Sequence, residues 1–105
     1  MSKDTGFEKL LASGQDNALV RYTLGSLSYK QQAYPQAIEH LNKALEFDPQ
    51  YSAAWKLLAR TIMESGDLVG AETVISQGLK VATDRGDQQV VRELQVLKKR
   101  LEKSK

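Results

Sequence analysis

Cysteine is absent from this 105-residue chain, histidine occurs once and proline twice. The first absence excludes disulfide staples, thiolate nucleophiles and cysteine-bound zinc. A lone His40 beside Glu39 is not a metal site; at mid-helix it reads as a solvated side chain. Neither G-x-x-x-x-G-K-[ST] nor G-x-G-x-x-G occurs, and Gly14 and Gly25 are too isolated to cradle phosphate. Carboxylates such as Glu64 and Asp67 lie where helix capping explains them. With no nucleophile–base pair to read, no catalytic residue, metal or cofactor is expected, and the chain is not expected to be an enzyme. No apolar run reaches the roughly 18–20 residues that cross a bilayer, so no membrane partner is expected. The opening Met1–Gly6 stretch lacks an apolar stretch of the signal-peptide kind. A soluble, cytoplasmic protein is the expectation.

What is present suits one small globular domain over residues 1–105. Hydrophobic residues make up 41% and charged residues 27%, values typical of folded domains. The net charge of +2 is unevenly placed. Lys98, Lys99, Arg100, Lys103 and Lys105 against Glu102 put +4 on the last eight residues and leave −2 on the rest. Cations at a helix C-terminus complement its dipole, which is the favoured explanation. The alternative is a nucleic-acid or anionic-lipid contact through this basic helix, disfavoured because the charges are few and terminal and no aromatic is interleaved to stack on bases.

The pattern of breaks and apolar spacing is helical throughout, with no strand candidate. Both prolines sit where helices begin: Pro35 after the Gln31–Tyr34 break, and Pro49 after Asp48, a capping residue type. Leu24, Leu27, Ala37, Ile38, Leu41, Ala44 and Leu45 recur at spacings of three and four within their segments. Gly66-Asp67 and Gly86-Asp87 each join a stop glycine to a new N-cap, and Asp16 is a candidate cap for the helix near Asn17. Helices are expected at Phe7–Ala12, Asn17–Gln32, Pro35–Phe47, Pro49–Ser65, Leu68–Ala82 and Gln88–Lys103.

A shift of 34 residues lays the chain on itself: Leu24 on Leu58, Gly25 on Ala59, Ala37 on Ala71, Leu41 on Ile75, Ala44 on Gly78 and Leu45 on Leu79. Gly25 and Ala37 can face each other across the turn and let two backbones approach. Ala59 and Ala71 repeat the arrangement, and Leu24, Leu41, Trp55, Leu58 and Ile75 would fill the spaces left. A 34-residue helix–turn–helix period with L-G, A-x3-aliphatic and terminal proline resembles the tetratricopeptide repeat. One unit, 18–51, carries Leu24-Gly25, Ala37, Leu41, Ala44 and Pro49; the other, 52–85, carries Trp55, Leu58-Ala59, Ala71, Ile75 and Gly78. Departures are Arg21 at the tryptophan place, Ser28 and Ile62 at the tyrosine place, and Thr83 at the second proline.

The resemblance implies an all-α solenoid of two hairpins. Residues 86–105 would then be a capping helix with a basic tail, and 1–17 an N-terminal segment in which Phe7, Leu10 and Leu11 cover the other end. Val90, Leu94, Leu97 and Leu101 would be the buried stripe of the cap, favouring a monomer over a homodimer through the same stripe. It further implies an interaction module that holds a protein or peptide on a concave face. That face would comprise Leu19, Tyr22, Ser26 and Tyr29 from the first unit and Lys56, Arg60 and Met63 from the second. Chaperone-tail docking, known in some members, is not expected. Only Lys56 matches that clamp, with Tyr22, Ser26 and Leu57 at other clamp places.

Overall fold

In a computed structural model, Lys9 and residues 11–104 are described. Among them run five helices: α1 Ala18–Lys30, α2 Tyr34–Phe47, α3 Ser52–Glu64, α4 Leu68–Arg85 and α5 Gln88–Ser104. Lys9, Leu11 and Ala12 are helical ahead of a turn at Ser13-Gly14. Phe7 and Leu10 lie outside the described residues. The chain divides after Pro49 into two compact units.

Capping side chains explain several of the helix starts. Asn17, rather than the expected Asp16, caps α1: its Oδ1 accepts from the Val20 amide at 2.9 Å. Asp16 is occupied instead by Arg21, at 2.8 Å. Asp67 accepts from the Gly70 amide at 2.9 Å at the start of α4, and Asp87 accepts from the Val90 amide at the start of α5. The expected start of α3 at Pro49 is wrong by three residues. Asp48 is the C-cap of α2, Pro49 and Gln50 form a turn, and the helix opens at Ser52.

Three helix ends share one device. Ala33 donates to Ser28 O, Asp67 to Ile62 O and Asp87 to Ala82 O. Each such bond closes the helix through a residue in the left-handed region: Gln32 (φ 60°), Gly66 (φ 95°) and Gly86 (φ 74°). Gln32 and Gly66 occupy the same place in the 34-residue period. Because no proline interrupts α4 at Thr83, that helix runs on to Gly86 rather than stopping at Ala82.

In the first unit α1 packs on α2 around Val20, Leu24, Ala37, Leu41, Ala44 and Leu45, all buried. Gly25 sits where a Cβ would meet Leu41 Cγ at 2.7 Å and the Ala37 carbonyl oxygen at 3.4 Å. The glycine is what allows this approach. In the second unit α3 and α4 form the hairpin, and α5 packs on both. Its core joins Ala59, Ala71, Ile75 and Ala82 to Val90, Leu94, Leu97 and Leu101. Gly78 lies where a Cβ would be 3.0 Å from Leu94 Cδ1 and 3.1 Å from Trp55 Cβ, so the glycine track of α4 takes a helix on either side. Thr61, fully buried, returns its hydroxyl to Leu57 O at 2.7 Å and so leaves no orphan donor.

Candidate functional site

The middle of α3 and the middle of α5 form a cleft of about 160 Å³ lined by Lys56, Arg60, Glu93, Val96, Leu97 and Arg100. Lys56 and Arg60 are one helical turn apart on α3, so both project the same way. Opposite them Glu93, Val96, Leu97 and Arg100 follow the same three-and-four spacing on α5. Lys56 Nζ reaches Glu93 Oε2 at 3.1 Å across the cleft. The other oxygen of that carboxylate, Oε1, is shielded from solvent and accepts no hydrogen bond. Arg60 pairs with Glu64 one turn on, at 3.8 Å, with both side chains nearly half exposed. Leu97 is buried and floors the cleft, whereas Val96 is 52% exposed at its rim. A second, more open hollow shares Val96 and is lined by Arg92, Gln95, Lys98, Lys99 and Glu102.

Of the residues read as a partner-facing surface, Lys56 and Arg60 therefore line this cleft. Met63, by contrast, is partly buried and packs against the core of the second unit. In the first unit Leu19 is 66% exposed, and Tyr22, Ser26 and Tyr29 are partly buried on the same helix. The Tyr29 ring lies 6.2 Å from that of Tyr34, tilted by 46°, which ties it to the start of α2. Glu93 is partly buried and paired with Lys56. His40, expected to be solvated, is partly buried with Nδ1 3.1 Å from Arg21 Nη1. A guanidinium only donates, so Nδ1 is the accepting atom of this contact. Arg21, standing at the tryptophan place of the repeat, thus bridges His40 and Asp16. Its guanidinium holds the Asp16 carboxyl below its ordinary value, chiefly through the hydrogen bond.

Of the two walls of the cleft, only α3 was legible as a face, because Lys56 and Arg60 are one turn apart. The α5 half comes from tertiary docking, and its one local signal is Val96, an aliphatic among cations off the buried stripe. Among the described residues no group of His, Asp and Glu is placed to hold a metal ion. No helix there is long and apolar enough to cross a membrane.

The sequence model of the tetratricopeptide repeat family matches residues 28–95. The chain belongs to that family. It is 42% identical over 100 residues, 95% of each chain, to the TPR repeat-containing protein PA0015 of Pseudomonas aeruginosa. The solution structure of protein BPP2914 from Bordetella parapertussis is similar, with a TM-score of 0.88 at 44% identity, over 99% of this chain and 90% of that one. The tetratricopeptide repeat domain protein of Salinibacter ruber gives a TM-score of 0.76 at 25% identity, over 84% and 99% of the two chains. Tetratricopeptide repeat proteins are in general interaction modules, and this one has the all-α repeat fold that the 34-residue period implies.

Proposed function

We propose that the protein is a non-catalytic interaction module of the cytoplasm that binds a polypeptide segment through the exposed faces of its repeat-opening helices. The observation that carries this reading is the cleft beside α3, where half-exposed Arg60 and the Lys56–Glu93 pair stand over the apolar floor of Leu97. Exposed Leu19 on α1, with Tyr22 and Ser26 beside it, is a second surface of the same helix class. Interfaces draw their affinity from a few anchors of this kind, an apolar contact flanked by a positioned charge. The test is affinity capture followed by titration of the purified partner against wild type, Lys56→Glu, Arg60→Glu and Leu19→Asp. A loss of affinity in at least one α1 or α3 variant, with folding retained, supports the reading. Undiminished binding in all of them would overturn it. The basic end of α5 gives the nucleic-acid alternative, which predicts binding to any oligonucleotide with a steep salt dependence.

The buried stripe of α5 also bears on self-association. Val90, Leu94, Leu97 and Leu101 are covered within one chain, leaving no continuous aliphatic seam on that helix for a second copy. Sedimentation equilibrium is expected to give a concentration-independent mass near 11.7 kDa.

A further inference from the structure

Resting on the interaction reading above, we propose that the α3–α5 cleft takes an acidic segment of a partner protein: an aliphatic side chain seated over Val96 and Leu97, with a neighbouring Asp or Glu held by Arg60 and Arg100. Size points to a side chain first. At about 160 Å³ the cleft is smaller than the roughly 300–1,000 Å³ of small-molecule pockets, so it fits a side chain rather than a metabolite. Charge then selects the kind of segment. Three cations, Lys56, Arg60 and Arg100, face one anion, Glu93. Lys56 is already committed to Glu93. The Arg60–Glu64 pair is long and exposed, the kind worth little against a competing carboxylate. Arg100 makes no ion pair among the described residues. Two guanidinium groups on opposite walls are therefore available to a carboxylate, a match of planar fork to carboxylate that lysine does not offer.

The same observations favour an acidic polypeptide over a nucleic acid. No aromatic lines the cleft for base stacking. An aliphatic side chain, Val96, stands at its rim over buried Leu97, a contact that an apolar side chain of a peptide can use and a phosphodiester backbone cannot. Beyond Val96, Arg92, Lys98 and Lys99 continue the positive field along α5, which would steer an acidic segment to the site.

The test uses the full 15N-labelled chain. Its probes are a synthetic peptide of alternating Glu and Leu, the same peptide with Gln for Glu, and a single-stranded oligothymidine. The Glu–Leu peptide is expected to shift the amide resonances of Lys56, Arg60, Val96 and Arg100. Affinity should fall about tenfold with the Gln peptide, and by a similar factor in Arg60→Glu/Arg100→Glu and in Val96→Ser. All three side chains are exposed, so these variants are expected to keep the wild-type circular dichroism spectrum. A peptide with Lys for Glu should bind Arg60→Glu/Arg100→Glu better than it binds wild type, which a merely damaged surface could not do. Four outcomes would overturn the proposal: no shift with the Glu–Leu peptide at about 1 mM, equal affinity for the Glu and Gln peptides, tighter binding of oligothymidine at the same residues, or shifts at these residues on raising the protein's own concentration. Shifts confined to Leu19 and Tyr22 on α1 would overturn it too, while leaving the broader interaction reading in place.

Discussion

Replacing Gly25 with alanine should destabilise the first hairpin, even though alanine is the better helix former by ~1 kcal/mol. The added Cβ would lie 2.7 Å from Cγ and 2.9 Å from Cδ2 of Leu41. Carbon atoms are at ease near ~3.5–4.0 Å, so the leucine would have to retreat by roughly 1 Å. It has nowhere to go: Leu41 is fully buried, and Cγ is the branch point rather than a free end. Overpacking of this kind costs ~1–3 kcal/mol, which outweighs the propensity gain and leaves a net loss of about 1 kcal/mol. Urea denaturation followed by circular dichroism reads the change, and the fluorescence of Trp55 separately reports the second unit. The second hairpin supplies an internal control, since Ala59 and Ile75 stand where Gly25 and Leu41 do, both buried. Gly25→Ala/Leu41→Ile should thus be less damaged than the sum of its single changes by about 0.5 kcal/mol or more. If Gly25→Ala instead gained ~1 kcal/mol, as an exposed helical glycine would, the close approach would not be what holds α1 to α2.

Three other outcomes are expected from the packing and capping described above. Gln32→Gly should stabilise by ~1 kcal/mol in chemical denaturation, because Gln32 holds φ 60° where a side chain is strained and the equivalent Gly66 is not. Leu94→Ala should cost ~2–5 kcal/mol, since Leu94 is fully buried against the glycine track of α4, whereas exposed Glu39→Ala should stay within ~0.5 kcal/mol. The Asp87 carboxyl is held below its ordinary value by the Ser52 hydroxyl and the Val90 amide, and Asp16 by Arg21. A depressed carboxyl contributes stability that is present above its unfolded value near ~3.9 and lost as pH falls through the folded value. Thermal melts between neutral pH and about pH 2 should therefore show less acid loss in Asp87→Asn than in wild type.

The five helices from α1 to α5, most of their ends and the buried stripe of α5 were legible because they are local. Apolar spacing shows which residues turn inward, and Gly66, Gly86, Asp67 and Asp87 announce their roles by residue type. The misreadings are those where a residue did a job its type does not advertise. Gln32 takes a left-handed stop that glycine would ordinarily fill. Asn17 caps α1 while its neighbour Asp16 is drawn away by Arg21. Pro49 shapes a turn instead of opening α3. The site was half legible for the same reason: Lys56 and Arg60 share a face by spacing alone, but Glu93, Val96 and Arg100 join them only once α5 has docked. His40 was read as solvated because its partner, Arg21, is nineteen residues away.

The period of the sequence and the unit of packing have different lengths. Similarity repeats every two helices, but the second compact unit contains three, and Gly78 is pressed between Trp55 before it and Leu94 after it. Two hydrogen bonds tie the start of α3 to the α4–α5 junction over 35 residues each: Ser52 donates to Asp87, and Arg85 to the Gln50 carbonyl. The constraint on growth of such an array lies therefore in the seam rather than in the repeat. A duplicated hairpin inserted after Arg85 would inherit Gly78 as its docking track, but it would need a latch residue to replace Asp87 and an aliphatic to seat where Leu94 now does. Lengthening this chain is a problem of matching three consecutive helices, and a two-helix module copied alone would arrive without the face that receives it.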